Sequence, residues 1–178
     1  MHTKARLRLA PVLESDLPTL FEWINDRELV LFNADFKPVS WEDHLHWFAS
    51  VQARKDVELF SIREIENDQL IGTCQLRNID LKHRQAELVI RIGVREKLGQ
   101  GLGTEAVRLL CAYGFGELGM HRIYLHVFYD NERAKRAYVR AGFVEEGILR
   151  QASRIDGQFK DVRVMSLLCH EMPQSGEA

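Results

Sequence analysis

The stretch REKLGQGLGTEAVRLL, Arg95–Leu110, decides how the chain is read. Gly99, Gly101 and Gly103 alternate, then give way to Thr104, Glu105 and a run with helical periodicity. Successive backbone N–H groups at the start of a helix, left uncovered by glycine, form a cradle for phosphate. A bare structural turn would not call for three alternating glycines.

Three phosphate-binding designs compete for this stretch. The P-loop, G-x-x-x-x-G-K-[ST], needs a lysine and a magnesium-binding hydroxyl that are absent here. The dinucleotide fingerprint G-x-G-x-x-G comes closer, because an apolar run, AELVIRIGV, precedes the glycines and Asp130 ends the next apolar segment. Ending that motif at Gly103 would require glycines where Leu98 and Gln100 stand, and starting it at Gly99 puts Thr104 in the last glycine position. The third design, a pyrophosphate held by backbone N–H groups alone, fits without a lysine or a metal.

The rest of the chain supports one α/β domain. RLRLAPV reads as a strand, and Leu17, Leu20, Phe21 and Ile24 recur at helical spacing. Ser40 followed by Asp43 in SWED predicts the start of a second helix, whose body carries Trp41, His44, Leu45, Trp47 and Phe48. ELFSIREI and QLIGTCQLRNI flank END as a hairpin, and FVEEGILRQ and FKDVRVMSLL flank DGQ as another. AELVIRIGV is apolar nearly throughout, as a buried central strand must be. HRIYLHVFYDN predicts the next strand, and NERAKRAYVRAG a short helix capped by Asn131 and stopped by Gly142. The predicted order is β-α-α-β-β-β-α-β-α-β-β. A mixed sheet with hairpins on both sides of one βαβ unit does not supply the repeated βαβ units of a doubly wound nucleotide fold.

The 178 residues, 46% hydrophobic and 28% charged with a formal net charge of -2, suit a single domain at residues 1–172 and a short polar tail at 173–178. The charge balance argues against a dedicated nucleic-acid binder. No run is long and apolar enough to span a membrane, and MHTKARLRLAPV lacks the apolar region of a signal peptide. Cys74, Cys111 and Cys169 are widely spaced in apolar company and read as buried thiols, which places the chain in a reducing cytoplasm.

GQGLGTEAVRLLCAYGF followed by HRIYLHVFYDNERAKRAYVRAGF resembles the GNAT superfamily of acetyl-CoA-dependent N-acetyltransferases. The pattern is most similar to the branch of ribosomal-protein N-terminal and spermidine acetyltransferases. The likeness runs from about Arg6 to Leu168 and is most specific between Glu87 and Phe143. The family pattern [Q/R]-x-x-G-x-[G/A] is met at Gly101 and Gly103 and departs at Leu98. The resemblance implies a mixed central sheet with helices on both faces, whose parallel central strands splay apart to bind acetyl-CoA. It implies that the backbones of Ile92 and Val94 hold the pantetheine. The amides of Gly99, Gln100, Gly101, Leu102, Gly103 and Thr104 would take the pyrophosphate, and Asn131 would hydrogen-bond the pantetheine arm. No metal is implied. The family's Y-x-x-x-G-F ending is met at Tyr138, which the resemblance makes the general acid. By spacing alone Tyr138 belongs to a core stripe with Ala134, Ala137 and Ala141.

The chemistry sets further demands. An alkyl amine with a pKa near 10.4 is neutral in about one molecule in 2,500 at pH 7, so presenting it costs about 4.6 kcal/mol. Attack on a thioester then builds an oxyanion that needs oriented donors, and the leaving thiolate needs a proton. Glu87, heading an apolar strand, is the candidate base, and it could also bind a cationic amine. His83 and His121 rank behind it. His44 and His46 lie two residues apart, which on a helix puts them on different faces and argues against a metal pair. Arg133, Lys135, Arg136 and Arg140 read as a basic helix face, one member of which could meet the 3'-phosphate of coenzyme A.

The expected activity is acetyl transfer to the primary amine of a small molecule, a polyamine or an amino sugar. The acids Glu22, Asp26, Glu28, Asp35, Glu42 and Asp43 are scattered among aromatics rather than clustered, which keeps the amino sugar in view. Alternatives are the N-terminal amine of a ribosomal protein and, in another class, a non-catalytic acyl-CoA-binding module. A homodimer is expected through the edge of the C-terminal hairpin.

Overall fold

The computed structural model describes residues 5–172, so the tail expected at 173–178 lies outside the described residues. The strands are β1 (Leu7–Pro11), β2 (Val57–Glu64), β3 (Leu70–Asp80), β4 (Gln85–Ile92), β5 (Arg122–Phe128), β6 (Val144–Ile155) and β7 (Gln158–Leu168). The helices are α1 (Leu17–Asn25), α2 (Arg27–Val30), α3 (Trp41–Ala53), α4 (Leu102–Gly116) and α5 (Glu132–Ala141). The fold is α/β, with one seven-stranded mixed sheet in the order β1-β2-β3-β4-β5-β7-β6.

The capping residues act as expected. Ser40 Oγ accepts from the Asp43 N–H at the head of α3, Asn131 Oδ1 accepts from Ala134 N–H at the head of α5, and Gly142 closes α5 at a φ of 104°. The additional helix, α2, escapes the periodicity because it has only four residues. Asp26 creates it by accepting from the N–H groups of Glu28 and Leu29.

Alternation along the strands divides the core. On β2 and β4, Ile62, Ala86 and Leu88 are buried in a cluster that Phe60, Ile90 and Ile92 pack against. Val107, Leu110 and Cys111 of α4, and Tyr138 and Ala141 of α5, complete that layer. The opposite face meets α1–α3 through Leu17, Leu20, Trp23, Leu29 and Phe48, with Leu59 of β2 packed against them. The sheet is thus covered on both sides. Two thiols are buried as expected, but Cys169 is exposed, because it lies just past the end of β7 rather than inside it.

The central strands hold the feature that matters for function. β4 and β5 are parallel, yet only Gln85–Arg122, Ala86–Ile123 and Glu87–Tyr124 pair. Beyond Glu87, β4 stays bonded to β3 as far as the Gly72–Ile92 pair, while β5 stays bonded to β7. The two halves of the sheet therefore part between Leu88–Ile92 and Leu125–Phe128.

Gly93, just past the splayed end of β4, sets how closely α1 approaches. A Cβ there would lie 2.1 Å from carbons of the Trp23 ring. Gly93→Ala should cost about 1–3 kcal/mol through overpacking, seen as a lower urea midpoint at unchanged m-value.

Candidate active site

Two clefts open onto the gap between β4 and β5. The wider, about 760 Å³, lies on the α1–α3 side and is lined by Trp23, His44, Trp47, Arg77, Glu87 and His126 among others. The smaller, about 270 Å³, is lined by Gly99, Gly101, Gly103 and Thr104, by Asn131, and by Arg133, Arg136 and Arg140 of α5. Phe32, Asn33, Ile90, Arg91 and Tyr138 line both, so the two clefts meet through the split sheet.

The glycine loop is built as a cradle. Gly99 and Gly101 have φ values of 77° and 79°, and Gly101 caps α4 without any side-chain hydrogen bond to its first turn. The N–H groups of that first turn therefore have no intrahelical partner. Gly103 is different, because neither positive φ nor crowding requires glycine there: a Cβ would meet nothing within 4 Å. A ligand approaching the smaller cleft supplies the missing reason. Two residues overlooked in the sequence fix the loop. Arg6 donates through Nη1 to the Gln100 carbonyl at 3.0 Å. Glu105 accepts from Arg6 N–H at 2.7 Å and Leu7 N–H at 3.0 Å, tying β1 to α4.

The other expected cosubstrate residues divide. Ile92 lines the smaller cleft. Val94 does not: its N–H donates to Ile71 at 3.4 Å, its carbonyl accepts from Lys97 at 3.1 Å, and its side chain packs in the core. Leu102 is buried in the core and Gln100 bonds back to the Glu96 carbonyl, so only their backbones belong to the cradle. Asn131 borders the cleft while its Oδ1 caps α5, leaving Nδ2, 3.4 Å from the Phe32 carbonyl.

Tyr138 is 6% exposed, belongs to the core as its spacing predicts, and also borders both clefts. Burial pushes its phenol up to about 12, so it keeps its proton at any working pH.

Glu87 lines the wider cleft but is poorly placed to act as a base. It is 5% exposed and accepts from Arg77 Nε and Nη2 and from Asn78 Nδ2, each at 2.9 Å. Its Oε1 also lies 3.0 Å from His126 Nδ1. Burial alone would raise its pKa, but the hydrogen bonds and charges of Arg77 and His126 outweigh burial and hold the carboxyl below its ordinary range. Such a carboxylate takes up protons reluctantly. What it does instead is orient His126, which is 39% exposed at the cleft and which sequence reasoning passed over. Donation from Nδ1–H to Glu87 leaves Nε2 as the accepting nitrogen.

The other candidate histidines are less suited to proton transfer. His83 is bonded to Asp80 on an exposed turn, and His121 sits beside Cys169; neither borders a cleft. His44 is buried, donates through Nε2 to the Leu17 carbonyl at 3.1 Å, and stacks on Trp47, whereas His46 is exposed. Burial lowers the His44 pKa despite that hydrogen bond.

Comparison with known proteins gives a consistent result. The chain matches the family described as acetyltransferase (GNAT) domain over residues 6–144. It is 30% identical over 164 residues to spermidine N(1)-acetyltransferase of Vibrio cholerae, covering 92% of this chain and 94% of the relative. It is 23% identical over 151 residues to the ribosomal-protein-serine acetyltransferase of Escherichia coli, covering 75% and 83%. The crystal structure of the Vibrio cholerae spermidine N-acetyltransferase with CoA and spermine superposes with a TM-score of 0.88 at 28% identity, covering 94% of this chain and 98% of that one.

Gly103→Ala separates ligand binding from folding. It should leave stability unchanged or raise it by about 0.5 kcal/mol, the propensity gain of alanine in a helix, while raising the Kd for CoA at least fivefold by calorimetry. Glu87→Gln should cost about 2 kcal/mol near neutral pH through loss of charge-assisted hydrogen bonds. Because the folded-state pKa is lowered, that stability exists above the unfolded-state value and is lost as pH falls through the folded one. The difference between the urea midpoints of the two proteins should therefore shrink as the pH falls through and below the ordinary carboxylate range.

Proposed function

Because the chain belongs to the GNAT family of acetyl-CoA-dependent acetyltransferases, we propose that it moves the acetyl group of acetyl-CoA to a primary amine of a small molecule by direct attack in a ternary complex. The observation that carries this reading is the through-sheet gap at Tyr138, where the glycine-cradle cleft meets the wider one. A pantetheine arm entering from the smaller cleft delivers its thioester to an amine seated in the larger.

Each residue then has a role. The cradle of Gly99–Thr104 and the cations of α5 take the phosphates of the cosubstrate. The edge of β4 from Leu88 to Ile92, left without a strand partner by the splay, offers backbone groups to the pantetheine and the developing oxyanion. His126, held by Glu87, accepts a proton from the ammonium through Nε2, directly or by way of water. Tyr138 donates its proton to the departing thiolate.

The acceptor is a small amine, a polyamine or an amino sugar. The spermidine acetyltransferase of Vibrio cholerae supports the small-amine class. The indole rings of Trp23 and Trp47 in the wider cleft support an amino sugar, as stacking surfaces. Residues 1–172 are read as one catalytic domain working in the cytoplasm. Among the described residues no helix is long and apolar enough to cross a membrane. A homodimer pairing through β6 is supported by that strand's place at the sheet edge.

The test is a thiol-release screen of acetyl-CoA against polyamines, amino sugars, aminoglycosides and N-terminal peptides. Turnover of a small amine is expected; turnover of peptides alone would move the acceptor to a protein N-terminus, and CoA binding without turnover would leave a binding module. On the amine that reacts, Tyr138→Phe should lower kcat about 100-fold with the KM for acetyl-CoA nearly unchanged. A wild-type kcat would remove the tyrosine from proton transfer.

A further inference from the structure

One charged side chain of the wider cleft has no ion-pair partner among the described residues. Arg91 lies on the face of β4 shared with Glu87 and Val89, opposite the core-facing Ala86, Leu88, Ile90 and Ile92. It borders both clefts beside Tyr138. Its Nε is buried without a hydrogen-bond partner, and among the described residues its side chain forms no ion pair. Burial lowers its proton affinity, but an arginine stays protonated throughout the working range.

The charges around it sharpen the point. The charged residues lining the wider cleft are Arg77, Glu87 and Arg91; His44 and His126 line it too, with the neutral Cys74 and Tyr138. Arg77 and Glu87 form an ion pair, so Arg91 is the charge left over. The acids of the neighbouring helices do not reach it. Asp26 and Glu28 are bonded to Arg95, and Asp43 to Ser40; Asp35 accepts from the Asp156 N–H. None of them lines the cleft. The phosphates of the cosubstrate have their own partners, since Arg133, Arg136 and Arg140 border the smaller cleft with the glycine-loop amides.

A half-buried guanidinium whose Nε is sealed without a hydrogen bond gains from a partner, and the partner it fits best is a carboxylate or phosphate engaged through two oxygens. Building on the acetyltransferase reading, we infer that the acceptor amine carries an anionic group, a carboxylate or a phosphate, and that Arg91 binds it. A polycation entering the same cleft meets a like charge at Arg91, which narrows the acceptor from polyamines toward anion-bearing amines. Among small amines, this points to an acidic or phosphorylated amino compound.

The decisive experiment titrates the CoA-saturated protein calorimetrically with matched amines. The pairs are phosphoethanolamine and ethanolamine, 4-aminobutyrate and putrescine, and glucosamine 6-phosphate and glucosamine, with spermidine beside them. The acid-bearing member of at least one pair should bind tenfold or more tightly than its counterpart, and the pairs separate phosphate from carboxylate. Arg91→Met should abolish that preference, leave the Kd for CoA within twofold, and raise the Tm of the free protein by removing an unpaired charge. Arg91→Lys should restore part of the preference. Tighter binding of spermidine, binding of no acid-bearing amine, or a tenfold loss of CoA affinity in Arg91→Met would each overturn the inference. Thiol release from the same amines judges the acetyltransferase reading separately: its absence throughout would sink that reading and leave the binding comparison to decide the anion site.

Discussion

The separation of two neighbouring strands is the constraint on which the site depends. A parallel pair at the centre of a sheet normally bonds along its length, yet here β4 and β5 share three residue pairs and then diverge. Each half is held by its other neighbour, β4 by β3 and β5 by β7, so the unpaired edges persist without collapsing. An unpaired backbone edge is costly when buried and useful when a ligand pairs with it. The split also gives a route through the sheet, from the glycine loop on one side to an aromatic cleft on the other, with Tyr138 at the crossing.

Electrostatics divides the work along that route. The smaller cleft offers helix-terminal N–H groups and arginines, suited to phosphate. In the larger one the single carboxylate, Glu87, is committed to Arg77, Asn78 and His126, which makes it a fixed anion rather than a proton carrier. The imidazole it orients, that of His126, is the more exposed of the two at the cleft. Tyr138, its phenol raised by burial, stays protonated and stands at the crossing as a hydrogen-bond donor.

Much of this was legible in the residues. Strand periodicity, the Ser40 and Asn131 caps and the Gly142 stop place the elements, and GQGLG marks the cradle. What escaped notice shares one physical cause, because it depends on distant segments brought together. Arg6 and Glu105 are 99 positions apart, and Glu87 meets His126 across 39. Neither pairing leaves a local signature. The resemblance gave Val94 a cosubstrate role, and the bonds of its backbone to Ile71 and Lys97 come from tertiary structure that a motif does not show. Helix α2 escaped because four residues are too few to show a period, and the exposure of Cys169 reflects where β7 ends. Arg91 was in plain view within AELVIRIGV, where a second charge beside Glu87 in an apolar strand was the signal that went unread.

The central claim, that the opened edge of β4 and the glycine loop together receive the cosubstrate, is tested most directly by amide hydrogen exchange with and without saturating CoA. The account predicts slowed exchange across residues 88–92 and 99–104, with the antiparallel hairpin β2–β3 unchanged. Full occupancy by CoA with unaltered exchange in both segments would contradict it.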